Sequence, residues 1–394
     1  MIPMRLLFVA DGRSPIALNW IRYFVERGDE VHLASTFACQ PELGLAGLDI
    51  TPVAFSRTKR PSTSPAVRPA SSKARGLPVP IRVRTSIRHY LGPLTISRSA
   101  KKLRTVIERV NPDLIHAMRI PYEGMLAADA YNGIPLLVSA WGNDFTLHGP
   151  STWLMRHYTR WTMRVANGLH ADCQRDIRLA GAWGFPTKRP TLVTPGNGGV
   201  RTNIFFPPEK LVDEPVVVNP RGFRAYVRND VFFKAIPLVL KEIPQARFLC
   251  ASMAGEAQAI QWIEELGIGH AVELLAPMPH AEMAEVYRRA AVLVSPSTHD
   301  GTPNTLLEGM ACGCTPVVGD LESIREWVTD GENGLLTDVT APHRLAESIV
   351  RALKSKDLRE QAAGLNAKRI AEEAGYNTCM SQALSFYQRI IQKI

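Results

Sequence analysis

The sequence predicts an α/β protein in two halves, each a parallel sheet covered by helices, and three observations carry that prediction. Short apolar runs alternate with amphipathic stretches along most of the chain, the pattern of strands joined through crossover helices. The first run, Arg5–Ala10, is nearly continuous in apolar residues rather than alternating, as in a strand buried on both faces. Near 205–214 the alternation breaks at Pro207-Pro208 and Asp213-Glu214-Pro215, then begins again. At 394 residues, 45% hydrophobic and 21% charged, the chain has the length of two domains and a globular composition, which excludes wholesale disorder. It contains no apolar run of about 18 residues, so no spanning helix is predicted.

Taken in order, Arg5–Ala10 is the first strand; the apolar start is too short for a signal peptide. Asp11-Gly12-Arg13-Ser14-Pro15 is turn chemistry. Ile16–Arg27 has helical spacing through Ile16, Trp20 and Phe24, and Gly28 stops it. Glu30–Ala34 is the second strand, completing a Rossmann-like βαβ unit. Residues 56–82 are dominated by Ser, Pro, Lys and Arg and read as a loop, after which Arg82–Arg109 suggests helices with a basic face. Asp113–His116 and Leu136–Ala140 are strands, 151–170 is helical, and Pro190–Thr194 is a strand. In the second half, Val216–Val218, Ala246–Ala251, Val272–Leu275, Val292–Ser295 and Pro316–Val318 read as strands, with helices near 231–243, 256–266, 281–290, 303–312 and 343–355. The expected domains are 1–208 and 209–377, with a last helix, 378–394, returning to the first domain through Leu384, Tyr387 and Ile391.

The net charge of +9 is uneven: the first 210 residues hold 28 basic against 14 acidic side chains. Residues 51–100 hold ten basic residues and no acid. Such a field attracts phosphates of lipid headgroups, nucleotides or nucleic acid. Nucleic acid is not expected, because Tyr90 is the only aromatic between 56 and 100. An anionic membrane surface contacted through basic residues 57–104 is the expected partner. Six scattered cysteines form no framework, which points to a reducing cytoplasm, peripheral to the inner membrane face, and Cys312-Gly313-Cys314 reads as packing rather than metal.

The most informative stretch runs from Ser295 to Gly313. A strand ends at Ser295, a loop carries Asp300, and Thr302 stands as a helix N-cap with Pro303 at the first helical position. The free amides of Asn304 and Thr305, with the positive helix end, would make an anion site. Asp300 would flank the anion and Glu308 lies farther along the helix, each able to accept bonds from sugar hydroxyls. The segment reads equally as a capped helix with two surface acids.

This stretch resembles the second-domain signature of glycosyltransferase family 4, the retaining GT-B enzymes. The shared elements are Asp300 and Glu308 separated by seven residues, Met310-Ala311-Cys312-Gly313, Thr315-Pro316-Val317-Val318 and Asp330-Gly331-Glu332-Asn333-Gly334-Leu335. Asp113-Leu114-Ile115-His116, Trp141-Gly142-Asn143-Asp144 and Pro195-Gly196-Asn197-Gly198-Gly199-Val200 resemble first-domain and link segments of the family. The resemblance implies a GT-B fold, two Rossmann-like domains facing across a cleft. It implies that Glu308 holds the donor ribose and that Asp300, where the family usually has Glu, touches the transferred sugar. It implies a diphosphate clamp on the segment after the first strand of the second domain: Arg221 fits the first basic position, and Arg228, with Arg224 next, replaces the usual Lys. Gly12 permits close approach of a phosphate or acceptor, or simply makes a turn. His116 ends a strand and either faces the cleft or is structural; the family often has a second His where this chain has Met118, followed by Arg119. Asp144 contacts the acceptor, holds a neighbouring loop or caps the next helix.

The resulting expectation is a retaining hexosyltransferase that uses a UDP- or GDP-linked sugar as donor and a lipid-linked or surface-polysaccharide glycan as acceptor. No metal and no cofactor are expected, since no Asp-x-Asp occurs and arginines with a helix terminus can neutralise the diphosphate. The alternatives are a sugar-nucleotide epimerase on the same fold and a non-catalytic polyanion-binding protein. A dinucleotide oxidoreductase is disfavoured, because no Gly-x-Gly-x-x-Gly follows the first strand.

Overall fold

The computed structural model describes residues 3–54, 56, 88–224 and 226–392. The chain divides into two compact units. Unit 1 comprises 1–171, 176–192 and 384–394; unit 2 comprises 172–175 and 193–383. The basic Ser/Pro-rich segment anticipated as a loop over 56–82 lies almost wholly outside the described residues.

Unit 1 is built on a seven-stranded sheet of order β3-β2-β1-β4-β5-β6-β7. The strands are β1 (Arg5–Ala10), β2 (Glu30–Ser35), β3 (Gly47–Ile50), β4 (Leu114–Ala117), β5 (Leu136–Ala140), β6 (Gly168–Ala171) and β7 (Thr191–Val193). Strand β1 pairs in parallel with β2 and β4, so it is central, and Leu6 through Ala10 are buried as the unbroken apolar run requires. Helix α1 (Pro15–Arg27) follows the predicted boundaries closely. Ser14 caps it by accepting the Ala17 amide, Pro15 opens it, and Gly28 ends it at φ 89°. Its Trp20, Ile21 and Phe24 are fully buried, worth roughly 1.5–3 kcal/mol each. Helices α2 (Ile96–Val110), α3 (Met125–Asp129), α4 (Trp153–Val165) and α5 (Gln174–Ala182) follow.

The structure differs from the sequence expectation at two points here. The helix expected over 151–170 stops at Val165, and Gly168–Ala171 is strand β6. Gly168 sits where a Cβ would come within 2.5 Å of Ile390, so a long-range contact decides that segment. The Pro-rich break near 208 is not the boundary either. After the short excursion of 172–175, the chain passes into unit 2 at Val193, because Val200 bridges to Gly375 and both Val200 and Phe205 pack in a unit 2 core cluster.

Unit 2 carries a six-stranded sheet of order β10-β9-β8-β11-β12-β13. Its strands are β8 (Val216–Asn219), β9 (Arg247–Cys250), β10 (Val272–Leu274), β11 (Val292–Ser295), β12 (Thr315–Gly319) and β13 (Leu335–Thr337). Its helices are α6 (Asn229–Glu242), α7 (Ala257–Leu266), α8 (His280–Arg288), α9 (Asn304–Ala311), α10 (Pro342–Lys354) and α11 (Lys356–Arg369). Counted from its own first strand, the order is 3-2-1-4-5-6, so the crossovers reverse direction between β8 and β11. The same reversal falls between β1 and β4 in unit 1. Ligands of open α/β sheets bind at such points, outside the carboxyl ends of the strands.

The last helix, α12 (Tyr376–Gln392), begins in unit 2 and ends in unit 1. Tyr387 stacks on Phe24 with ring centroids 4.5 Å apart, and its hydroxyl accepts a 2.9 Å bond from the Trp20 indole. The apolar face read from Leu384, Tyr387 and Ile391 thus does return to the first unit, with Tyr387 as its anchor. Among the described residues no helix is long and apolar enough to cross a membrane.

Candidate active site

At the reversal point of unit 2 two loops meet, one after β8 and one after β11. They are tied together by an antiparallel bridge between Val227 and Ser297 and by bonds from Thr298 to the Tyr226 carbonyl. The β8 loop turns at Gly222, whose φ of 59° suits glycine. Asn219 and Asn229 brace it: Asn219 donates to Asn229 and accepts from the Arg221 amide, while Asn229 donates to the Gly222 carbonyl. The loop therefore presents Arg221 from a fixed backbone.

The Arg221 guanidinium donates to Asp300 at 2.6 Å and to the Thr305 hydroxyl at 3.1 Å. All three residues were singled out in the sequence, and the structure joins them. Arg221 and Asp300 form an ion pair 8% and 12% exposed, and Arg221 Nε is buried without a partner. Asp300 is held from behind, since its carbonyl accepts from Arg175 at 2.6 Å and from Ser323 at 2.7 Å. Helix α9 begins beside this pair. Its first amides, those of Asn304 and Thr305, precede the helical ladder, whose Leu306 amide returns to the Pro303 carbonyl. The Asn304 side-chain oxygen is also buried and unpartnered. The Arg221 guanidinium, with its Nε donor unpaired, and a helix start converge, which suits an anion.

Thr302 requires a correction. The helix starts at Asn304 with Pro303 as its cap residue, and the Thr302 hydroxyl is instead held between the Asp172 carbonyl, to which it donates, and the Trp327 indole, from which it accepts. It is 4% exposed and ties down the loop rather than offering a donor to a ligand.

Glu308 projects from α9 into an enclosed position beside Tyr287. Burial raises its carboxyl to about 8, with the Tyr287 hydroxyl opposing the shift. Of the two candidates for the second diphosphate cation, Arg228 is gripped by Asp230 through two bonds of 2.8 Å, whereas Arg224 is exposed and its side chain makes no hydrogen bond or ion pair among the described residues. Cys312 and Cys314 are buried thiols, and the Cys314 sulfur donates to the Tyr287 carbonyl, in keeping with a packing role.

In unit 1 two sequence candidates leave the ligand-facing set. His116 is 1% exposed within the sheet, with one ring nitrogen on the Tyr387 hydroxyl and the other 2.8 Å from Ser139, which also meets His170. Burial holds its pKa well below the usual value, which gives it the place of a neutral core histidine rather than one facing a cleft. Strand β4 lies between β1 and β5, and His116 lands in its packed interior. Gly12 has its amide bonded to Ser35 at 3.0 Å, and a Cβ there would lie 2.4 Å from Cys39 Sγ. A larger residue there would displace the Cys39 and Ser35 side chains, and the Gly12 amide is already occupied.

The reversal point of unit 1 nonetheless opens a cavity of about 320 Å³. Arg13, Arg88 and Arg119 line it together with His89, His148, Tyr122 and Glu123. Asp144 holds a neighbouring loop, accepting from Arg119 at 3.0 Å and from the Ile120 and Trp141 amides. Tyr122 takes φ 70°, a conformation rare for an aromatic residue, and its hydroxyl donates to the Arg88 carbonyl at 2.6 Å. Sequence reasoning missed Tyr122, Glu123, His89 and His148; the one available signal was the cluster of polar and aromatic residues just after β4 and β5.

The family model for glycosyl transferases group 1 matches residues 200–369, and that for the glycosyl transferase 4-like domain matches residues 12–196. The chain belongs to glycosyltransferase family 4. Among curated relatives of this family 4 chain, the D-inositol 3-phosphate glycosyltransferase of Thermobispora bispora is 27% identical over 250 residues, 58% of each chain. An uncharacterized glycosyltransferase of Methanocaldococcus jannaschii is 29% identical over 119 residues, covering 30% of this chain and 34% of that one. The matches thus span between about a third and somewhat over half the length of these relatives. Among solved structures, the sucrose-phosphate synthase of Thermosynechococcus elongatus superposes with a TM-score of 0.74 at 15% identity, covering 99% of this chain and 100% of that one. HepE of Anabaena, solved with UDP and glucose, gives 0.72 at 15% identity, covering 97% and 98%. Both likenesses show the GT-B fold.

Proposed function

We propose that this protein is a metal-independent, retaining glycosyltransferase that moves a hexose from a nucleotide diphosphate sugar to an acceptor hydroxyl. The observation that carries the reading is the meeting of Arg221, the start of α9 and the enclosed Glu308 at the reversal point of unit 2. The α9 amides and the Arg221 guanidinium would receive the diphosphate, with exposed Arg224 as the second cation. Glu308 would accept bonds from the ribose, and Asp300, released from Arg221 as the phosphate takes its place, would turn to the sugar. The bond between the anomeric carbon and the diphosphate oxygen breaks, the acceptor oxygen bonds to that carbon, and its proton passes to the departing phosphate on the same face. The clamp stabilises the charge that grows on the leaving group. UDP is favoured over GDP by the UDP-bound fold neighbour.

The acceptor in this reading is a lipid-linked or surface glycan, reached at an anionic membrane. Support for the membrane comes from Tyr90, Leu91, Leu94 and Trp153, all exposed in unit 1, where the Thr152 hydroxyl bonds the His89 carbonyl and so joins the two segments. Exposed Arg98, Lys101, Lys102 and Arg104 of α2 and Arg156, Arg160 and Arg164 of α4 carry charge suited to that surface, while most of basic residues 57–104 fall outside the described chain. Basic and aromatic residues together hold a protein at an interface.

A thermal-shift series with UDP, GDP, ADP and their hexose conjugates, in the presence of a chelator, tests the donor site. A stabilising response to one base, lost in Glu308→Ala, is the expected result. Incubation with donor and candidate acceptors should then yield a new glycoside of unchanged anomeric configuration by NMR. An altered nucleotide sugar with no glycoside would point to an epimerase instead.

A further inference from the structure

The cavity of unit 1 carries a charge pattern that the donor chemistry does not explain. Three guanidiniums reach it, and two are already paired: Arg13 with Asp11 through two 2.9 Å bonds, and Arg119 with Asp144. Arg88 is different. It lies over the Tyr122 ring at 4.5 Å and the Phe37 ring at 5.6 Å, its Nε is buried with no hydrogen-bond partner, and it forms no ion pair among the described residues. A buried donor without a partner is left desolvated and unpaired, so the position suits an arriving acceptor atom. Stacking on two rings also fixes the guanidinium plane, which prepares it for a bidentate anion.

The Asp11 carboxylate also lines the cavity, held by Arg13, and the rest of the wall is neutral or polar. Glu123 is wholly buried, accepts from the Thr36 hydroxyl at 2.7 Å, and is pushed by burial toward its protonated form. His148 and His89 meet at 3.2 Å between ring nitrogens. Burial depresses His148 to about 3, with Arg119, His89 and Arg88 adding to the effect, and burial depresses His89 as well. Two neutral imidazoles are donors and acceptors suited to hydroxyls, not to a second charge. A cationic clamp beside hydroxyl-reading groups, in a space of about 320 Å³, fits a phosphate carried on a polyol or sugar.

We propose that this cavity binds a phosphate group of the acceptor, with Arg88 as its clamp and the His89–His148 pair reading an adjacent hydroxyl. Naming the ligand as acceptor rests on the transferase reading above; the phosphate site itself does not. The phosphate can belong to a soluble phosphorylated polyol or to a lipid headgroup, and the test separates the two.

The test uses the whole chain and measures binding of glucose 6-phosphate, glycerol 3-phosphate, glucose and glycerol by calorimetry, alongside UDP. Vesicles of phosphatidylcholine with and without phosphatidic acid form a further arm. At least one phosphomonoester should bind ten-fold or more tightly than its neutral parent. Arg88→Gln should abolish that preference, Arg88→Lys should keep part of it, and UDP binding should be unchanged in both. His89→Ala is a second variant should Arg88→Gln not fold; it should weaken the phosphomonoester several-fold. Binding of soluble phosphomonoester that depends on Arg88 identifies a soluble source. Binding only to phosphatidic acid vesicles, again dependent on Arg88, identifies a headgroup. Equal binding of phosphorylated and neutral probes, or vesicle binding indifferent to Arg88, overturns the proposal. Phosphate binding without any UDP response would remove the donor reading and leave this site standing.

Discussion

Replacing Glu308 by Gln keeps the size of the side chain and removes its ionisation. In the folded protein the carboxyl holds its proton up to about pH 8, against a usual value of 4.5. The unfolded chain therefore releases a proton over that window that the native state retains. Wild-type stability is complete below about pH 4.5 and falls as pH rises towards 8. At about 1.4 kcal/mol per pH unit, the integrated loss is roughly 3–5 kcal/mol, a large share of the 5–15 kcal/mol typical of a domain. Glu308→Gln should escape that loss. Urea unfolding at pH 5 and pH 8, followed by exchange mass spectrometry on unit 2 peptides, measures it where it acts. The variant should gain several kcal/mol relative to wild type between the two pH values, whatever its absolute stability. Parallel pH dependences in the two proteins would refute the argument, because they would mean that Glu308 ionises in the native state without penalty.

Further expectations follow from the same geometry. Tyr387→Phe removes the hydroxyl shared by Trp20 and His116 and should cost about 1–3 kcal/mol in unit 1 stability by chemical denaturation, with UDP binding unchanged. His116→Asn should likewise lower stability while leaving the kcat of the remaining folded enzyme within a few-fold; a loss of a hundred-fold or more in kcat would restore a catalytic histidine. Arg224→Ala should weaken UDP binding about ten-fold at low salt, more than Arg228→Ala, because Asp230 already engages Arg228; titration calorimetry gives the order, and the reverse order would move the clamp to Arg228. Arg221→Gln should abolish the UDP response altogether, and an unchanged thermal shift would dismiss the anion site at α9.

Much of the fold was legible because each half repeats one physical pattern. Strands buried on both faces must be continuous apolar runs, and β1, β5, β8 and β11 emerged near the predicted places for that reason. Helix α1 announced both its ends through Ser14, Pro15 and Gly28. The strands that went unread, β3, β6 and β13, are only three or four residues long, and each begins with or directly follows a glycine. Their pairing comes from neighbours far away in sequence. Arg221, Asp300 and Glu308, the residues proposed to hold the donor, were readable because a strand end, a helix start and a spacing of seven residues are local facts.

What sequence alone determined, then, is the two-fold α/β plan, the family and the place of the candidate site in unit 2, since all three depend on patterns written within a few turns of chain. Tertiary structure decided which side chains are available. Arg221 and Asp300 neutralise one another across 79 residues. Thr302 turns from its helix to a carbonyl 130 residues away, and His116 is closed in by Tyr387 from the far end of the chain. Arg88, by contrast, is left over two aromatic rings with no ion pair among the described residues. Whether a polar side chain meets a ligand or a partner depends on which groups the folded chain brings within about 3 Å of it, and local sequence does not encode that distance.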